Sequence, residues 1–233
     1  MTLSITGKST VSASLITAFI KKNNPKFDST ISEAYILVGA TYGIRGDVAI
    51  CQAIIETGWF KFDGGTAVTP DQYNYCGMGV TSKGMKGNSF NSIKEGVTAH
   101  IQHLLAYANK DALPKGKKLV DPRFKYVTRG SAGDAWEGLS MKWAMNANYG
   151  KDILRIYTSL LDIHSTAVFE AENQSKKETP KAVYGVEVSQ PMNLKEVNEF
   201  IGKLGESEVI DVKVNNDREN FFYTIIHKTK KNS

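Results

Sequence analysis

The run Ala49-Ile50-Cys51-Gln52-Ala53-Ile54-Ile55-Glu56-Thr57-Gly58-Trp59-Phe60 sets one carboxylic acid at the end of an apolar stretch, ahead of a helix-stopping glycine and two aromatics. Poor solvation there penalises the charged form, so Glu56 is expected to hold its proton to a higher pH than an ordinary glutamate. An acid still protonated near neutrality is what cleavage of a sugar–sugar bond demands, because the departing oxygen must receive a proton. The competing reading of Glu56 is an ordinary helix-end acid, solvated or paired with a cation.

About twenty residues on, Tyr73-Asn74-Tyr75-Cys76-Gly77-Met78-Gly79 supplies aromatic faces, an amide and a close backbone approach at glycine. Sugars bind to this combination, ring faces on aromatics and hydroxyls on amides. Simple loop packing is the alternative for Tyr73 and Tyr75. Other chemistries find less support. His100 and His103 lie three apart on one expected helix, yet no third ligand stands at a suitable spacing and HExxH is absent, so no metal is expected. There is no Gly-x-Ser-x-Gly elbow, and Cys51 lies too deep in the apolar run to serve as a nucleophile. The Gly84 to Gly87 stretch lacks the closing Gly-Lys-Ser/Thr of a phosphate loop, so no nucleotide cofactor is expected. Two cysteines make neither a disulfide framework nor a metal cluster.

The elements that must hold these groups are mostly helices. Leu15, Ile16, Phe19 and Ile20 make an apolar face on a helix that ends before Pro25. Thr30-x-x-Glu33 reads as a capping box for a helix ended by Gly43, and Asp47 can open a third running to Glu56. Lys61 to Phe90 is glycine-rich loop, with room for a short hairpin near Gly84. Ser92-x-x-Glu95 introduces a helix through Val97, Ile101, Leu104 and Ala108; a short one is expected through Trp136 and Leu139, and a last one from Tyr149 to Ile163. Residues 165–181 read as a polar linker, and 182–233 as a β-α-β-β unit too small to be comfortably stable alone. The domains expected are therefore 1–164, mainly α, and 182–233, a small α+β unit that pairs with a copy of itself into a homo-oligomer or packs on a partner.

The chain has 233 residues and a net charge of +5. Eight basic and eight acidic residues cancel from Lys181 onward, so the excess sits in the first 180 residues. A basic body suits an anionic polymer. With no RNA-binding, zinc-finger or helix-turn-helix signature, no nucleic-acid partner is expected. Neither is membrane insertion, since no apolar run approaches the roughly 20 residues needed. The polar start, Met1 to Thr10, lacks the layout of a secretory signal, so synthesis in the cytoplasm is expected, with any export by another route.

Taken in order, Gln52-Ala53-x-x-Glu56-Thr57-Gly58-Trp59, the Tyr73–Gly79 loop and Trp143-Ala144-x-x-x-x-Tyr149-Gly150 resemble the glucosaminidase domains of bacterial and phage cell-wall hydrolases, glycoside hydrolase family 73. The resemblance spans roughly residues 12–163 and implies a lysozyme-like fold. It also implies hydrolysis, without cofactor, of the β-1,4 bond on the reducing side of N-acetylglucosamine in peptidoglycan strands. The chain looks most like a Gram-positive phage or prophage endolysin, which implies action on the cell wall after release and a wall-binding or self-association role for residues 182–233. Carried over, Glu56 is the general acid, Tyr149 the active-site tyrosine, and Trp59, Tyr73, Asn74, Tyr75 and Gly77 the substrate-binding set. One departure stands out: the family often sets a second acid on a hairpin after the glycine loop, whereas Val80 to Asn91 holds no Asp or Glu. A muramidase or lytic transglycosylase on the same fold is the runner-up. A non-catalytic wall-binding or phage structural protein is the alternative from another class.

Overall fold

Why the chain turns where it does is read from its caps. In the computed structural model, which describes residues 2–63, 65–82, 84–177, 184–188, 196, 199–200, 208–216 and 221–230, Ser12 accepts from the Leu15 amide and opens α1, Ala13–Lys21. From His164 onward only backbone is described, save at Glu196, Glu199 and Phe200. Helix α2, Ser29–Tyr42, is capped by Asp28, whose side chain accepts from the Thr30 amide at 2.9 Å, and not by Thr30 as the sequence suggested. The aspartate is the stronger acceptor and sits one step before the first helical residue. Gly43, at φ 67°, ends α2 in the left-handed conformation that glycine adopts without penalty.

Helix α3, Gly46–Thr57, is the central element, with ten of its twelve residues buried. A helix apolar on all sides must be enclosed on all sides. It crosses α2 so closely that a Cβ on Gly46 would lie 2.1 Å from the Tyr35 carbonyl oxygen. At its start Asp47 is fully buried, and the charge is met by the Arg45 guanidinium at 3.0 Å, the Thr10 amide at 2.8 Å and the Tyr157 hydroxyl at 3.3 Å. These bonds tie the N-terminal segment and the last helix to the base of α3.

Helix α4, Ile93–Ala108, opens at Ser92, which accepts from the Glu95 amide at 3.2 Å, while the Glu95 carboxylate reaches back one residue further, to the Asn91 amide at 2.7 Å. Between α3 and α4 the described residues contain one 3-10 turn, Pro70–Gln72, and no strand, so the hairpin near Gly84 does not form there. The helix expected through Trp136 and Leu139 is a single 3-10 turn, Trp136–Leu139.

The last helix, α5, runs Tyr149–Lys177 and so passes well beyond Ile163. Residues 165–177 are thus helical and not irregular linker. Their polarity removes a buried face, but Ala, Glu, Gln and Lys are good helix formers and no breaker comes before Pro180. The chain divides into two compact units, 1–170 and 171–233. In the second, β1 (Tyr184–Val188), β2 (Glu208–Asn216) and β3 (Phe221–Lys230) form an antiparallel sheet in the order β1-β3-β2, with a bulge between Val209 and Asp211. The helix expected near Val197 to Leu204 lies largely outside the described residues. No helix among those described is long and apolar enough to cross a membrane.

Candidate active site

Glu56 occupies the last turn of α3, and the helix is stopped abruptly beyond it. Gly58, Trp59 and Phe60 follow one another with φ of 57°, 61° and 58°. Two bulky residues in the left-handed region are costly, about 1–2 kcal/mol each, so the surroundings must enforce the turn. Thr57 is one clamp: its hydroxyl donates to the Ala53 carbonyl at 2.6 Å and accepts from the Phe60 amide at 2.9 Å. Phe60 and Trp59 pack inward on Phe27 and Phe19, with ring centroids 4.8 and 5.3 Å apart. The Glu-Thr-Gly-Trp string is thus a device for ending a helix at an acid.

The acid sits at the floor of a cleft of about 440 Å³. Gly77–Thr81 line it together with His103, Tyr107, Arg123, Lys142 and Trp143. Burial raises the pKa of Glu56, and the hydrogen bond from Tyr149, with the Trp143 side chain beside it, offsets part of that rise. Tyr149 donates to Glu56 Oε1 and itself accepts from Gln52 Nε2 at 2.9 Å. Burial and the neighbouring Glu56 charge hold Tyr149 well above its ordinary value, so it stays a neutral phenol and a donor. The other oxygen, Oε2, is turned to Gly77, where a Cβ would lie 3.4 Å away. Gly77 has φ 62°, so that position favours glycine on conformation as well as space.

Trp143 is set by an edge contact with His103 and a tilted one with Tyr107, centroids 4.8 and 5.3 Å away. His103 Nδ1 is in turn bonded to the buried Asp121 at 2.7 Å. Glu56 is the one carboxylate among the described residues lining the cleft. Asp71 is fully exposed, with its pKa lowered by the Thr69 side chain, and Glu95 caps α4; neither lines the cleft.

The structure brings together Glu56, Tyr149 and Gly77, and it separates the rest of the expected substrate-binding set from the cleft. Asn74 is fully buried. Its Nδ2 donates to the Met78 and Asn88 carbonyls, both at 2.9 Å, and its Oδ1 accepts from the Met78 amide at 3.0 Å. With both donors spent, that amide shapes the loop and has none left for a sugar. Tyr75 is 2 % exposed and packs on Tyr35 and Phe60 as core. Tyr73 borders a different pocket with Phe27 and Phe62, and Trp59 lies on Phe19; neither borders the cleft. Conversely, His103, Tyr107, Arg123 and Lys142 were absent from the expected set, and Trp143 figured only as part of a motif. Their spacing in sequence carries no signal, because α4 and the loops after it meet only in the fold.

Behind the acid, His100 is wholly buried, with Nδ1 at 2.7 Å from the Tyr35 hydroxyl and Nε2 at 3.1 Å from Gln52 Oε1. Burial, with His103 adding to it, drops its pKa from 6.5 to about 3. The unfolded chain therefore binds a proton at His100 below pH 6.5 that the native chain refuses until about pH 3. Stability should fall as pH drops through that window, by at most roughly 1.4 kcal/mol per pH unit. Urea midpoints between pH 7 and pH 4 measure the slope, which His100→Gln should flatten; an unchanged slope in the variant would contradict this origin.

Both cysteines are buried and unpaired. A family model described as Glucosaminidase, mannosyl-glycoprotein endo-beta-N-acetylglucosaminidase, matches residues 32–162, which hold Glu56, Gly77, Trp143 and Tyr149. An uncharacterized protein of Borreliella burgdorferi is 40 % identical over 146 residues, covering 61 % of this chain and 69 % of that protein.

Proposed function

This chain belongs to the glucosaminidase family and is a glycosidase, and from that premise we propose that it cleaves peptidoglycan on the reducing side of N-acetylglucosamine, with Glu56 as general acid. What carries the reading is the single cleft-lining carboxylate, made hard to ionise by burial and bonded to Tyr149. In the first step the Glu56 proton passes to the glycosidic oxygen as the C1–O bond breaks. The Tyr149 hydroxyl then stabilises the carboxylate left behind.

The positive charge developing at C1 needs a partner on the other face of the sugar. Inverting enzymes use a second carboxylate about 6.5–9.5 Å from the first, and retaining enzymes one about 5–5.5 Å away. With Glu56 the one carboxylate among the described residues lining the cleft, the substrate's own N-acetyl oxygen is the nucleophile in this proposal. Its bond to C1 forms as the leaving oxygen departs, and water, giving a proton to Glu56, opens the resulting ring from the original side. Products should therefore keep the β configuration, as read by proton NMR of the fresh reducing end. Inversion would exclude internal attack. Reducing-end labelling should find N-acetylglucosamine; muramic acid or its anhydro form would transfer the chain to the muramidases or transglycosylases.

The sheet of the C-terminal unit leaves an outer edge on β1 and on β2 among the described residues, and such edges invite a further strand. Self-association through that unit follows as part of the proposal. Sedimentation of the full chain as a monomer at all micromolar concentrations would refute it.

A further inference from the structure

The polar groups behind Glu56 form one unbroken line of hydrogen bonds: Tyr35 hydroxyl to His100 Nδ1, His100 Nε2 to Gln52 Oε1, Gln52 Nε2 to the Tyr149 hydroxyl, and that hydroxyl to Glu56 Oε1. Tyr35, His100 and Gln52 are each 0 % exposed, so none can turn to bulk water for an alternative partner. Such a line can run in two senses. In one, every hydrogen points toward Glu56: Tyr35 donates to Nδ1, Nε2–H donates to Gln52, the Gln52 amide donates to Tyr149, and Tyr149 donates to Oε1. In the other, every hydrogen points away, starting from a protonated Glu56 and ending with Nδ1–H donating to the Tyr35 oxygen.

The far end decides between them. In the second sense the Tyr35 hydrogen has no acceptor, since His100 is the hydroxyl's one hydrogen-bond partner among the described residues. An orphaned buried donor costs about 1–3 kcal/mol, enough to disfavour that sense by roughly 5- to 150-fold. The first sense also survives loss of the Glu56 proton, because Tyr149 then donates to a carboxylate. Tyr35 therefore acts as a stop that gives the whole line its direction.

On the reading of Glu56 as general acid, we propose that His100, as the neutral Nε2–H tautomer, is a positioning residue that keeps the acidic proton of Glu56 on Oε2. With Oε1 occupied as an acceptor by Tyr149, the carboxyl hydrogen belongs on the other oxygen, and Oε2 is the one turned to Gly77 in the cleft wall. The line thus delivers the proton to the oxygen that a bound glycan reaches. Burial keeps His100 uncharged down to about pH 3, so the tautomer holds across the pH range in which a protonated Glu56 is useful.

Nitrogen-15 NMR of the histidines in the full chain tests this without reference to activity. A protonated Nε2 and bare Nδ1 at His100, unchanged from pH 8 to pH 5, is expected; an Nδ1–H tautomer overturns the proposal. In kinetics, His100→Phe, which cannot donate to Gln52, should lower kcat about tenfold, roughly one hydrogen bond's worth, with KM within twofold. His100→Gln, which restores a donor toward Gln52, should recover most of that loss. Equal kcat in His100→Phe and wild type overturns the proposal, as does an equal loss in both variants. Should His100→Phe not fold, the NMR result decides alone. Full turnover in Glu56→Gln would instead sink the general-acid reading, whereas an inactive Glu56→Gln beside an Nδ1–H tautomer would sink only the role of His100.

Discussion

Replacing Glu56 by glutamine is expected to cut the rate of wall hydrolysis about a thousandfold, the middle of the range for losing a positioned general acid, while leaving the fold intact. The amide keeps the volume of the carboxyl and still offers an oxygen to the Tyr149 hydroxyl, so the line of bonds behind it has no reason to break. It has no proton to give, and no second carboxylate among the described residues lines the cleft to take over. Stability should move the other way. Burial raises the pKa of Glu56 above its ordinary value of 4.5, so the native chain holds a proton that the unfolded chain has already released. The stability linked to that proton is complete below pH 4.5 and is lost as pH rises through the raised native value. Glutamine carries no such penalty, so the variant should match wild type in acid and melt at or above it at pH 8. The same raised pKa predicts that wild-type activity persists beyond the ordinary carboxyl range and then falls as Glu56 ionises. A turbidity assay on isolated walls, with melting curves at pH 4 and pH 8, checks all three. Lysis by Glu56→Gln at the wild-type rate would take Glu56 out of the reaction.

How far the site could be read in advance depended on whether its signals were local. The acid was legible because burial of α3 is written in an apolar run interrupted by Gln52 alone, and its end is marked by Gly58. The pairing of Glu56 with Tyr149, 93 residues apart, came only through the family resemblance, since nothing local to either residue points to the other. The placement of Asn74 and Tyr75 was not legible for a physical reason: beside a glycine turn, an amide and an aromatic look alike whether they face a ligand or hold the loop. Only Met78, Asn88, Tyr35 and Phe60, supplied by the fold, show that these two face inward. Gln52 offered a local hint, an amide inside an apolar helix that must find partners, but its partner His100 lies 48 residues on. At the fold level the helix starts and stops were largely visible, and the errors came where two signals competed. Thr30 looked like a cap, yet it lies within the first turn, with Asp28 at the capping position before it; residues 165–177 looked like linker by polarity, yet helix formers without a breaker carry α5 on to Lys177.

Gly150→Ala should damage stability and turnover together. Taken alone, alanine favours a helix over glycine by about 1 kcal/mol, so a surface position in the first turn of α5 would gain from the change. Gly150 is not such a position. A Cβ there would lie 2.3 Å from the Trp136 carbonyl oxygen and 2.4 Å from the Glu137 Cα, both backbone atoms of the 3-10 turn beneath it. Backbone cannot swing aside as a long side chain can, so the helix must lift from the turn. Overpacking of this kind costs about 3 kcal/mol, which outweighs the propensity gain and leaves a net loss near 2 kcal/mol. For a chain of this size that corresponds to a melting point lower by roughly 4–8 °C. The functional loss should be larger in proportion, because the residue before Gly150 is Tyr149. Lifting the helix draws its hydroxyl off Glu56 Oε1 and Gln52 Nε2 together. A displacement near 1 Å at a catalytic constellation can cost about a hundredfold in rate, so kcat should fall by about that factor in a protein still folded at 25 °C. Calorimetry and wall hydrolysis on the same preparation separate the two effects. A Gly150→Ala variant that melts within 1 °C of wild type and turns over at the wild-type rate would mean that the first turn of α5 can move without moving the tyrosine, and that the close packing at Gly150 is not what positions it.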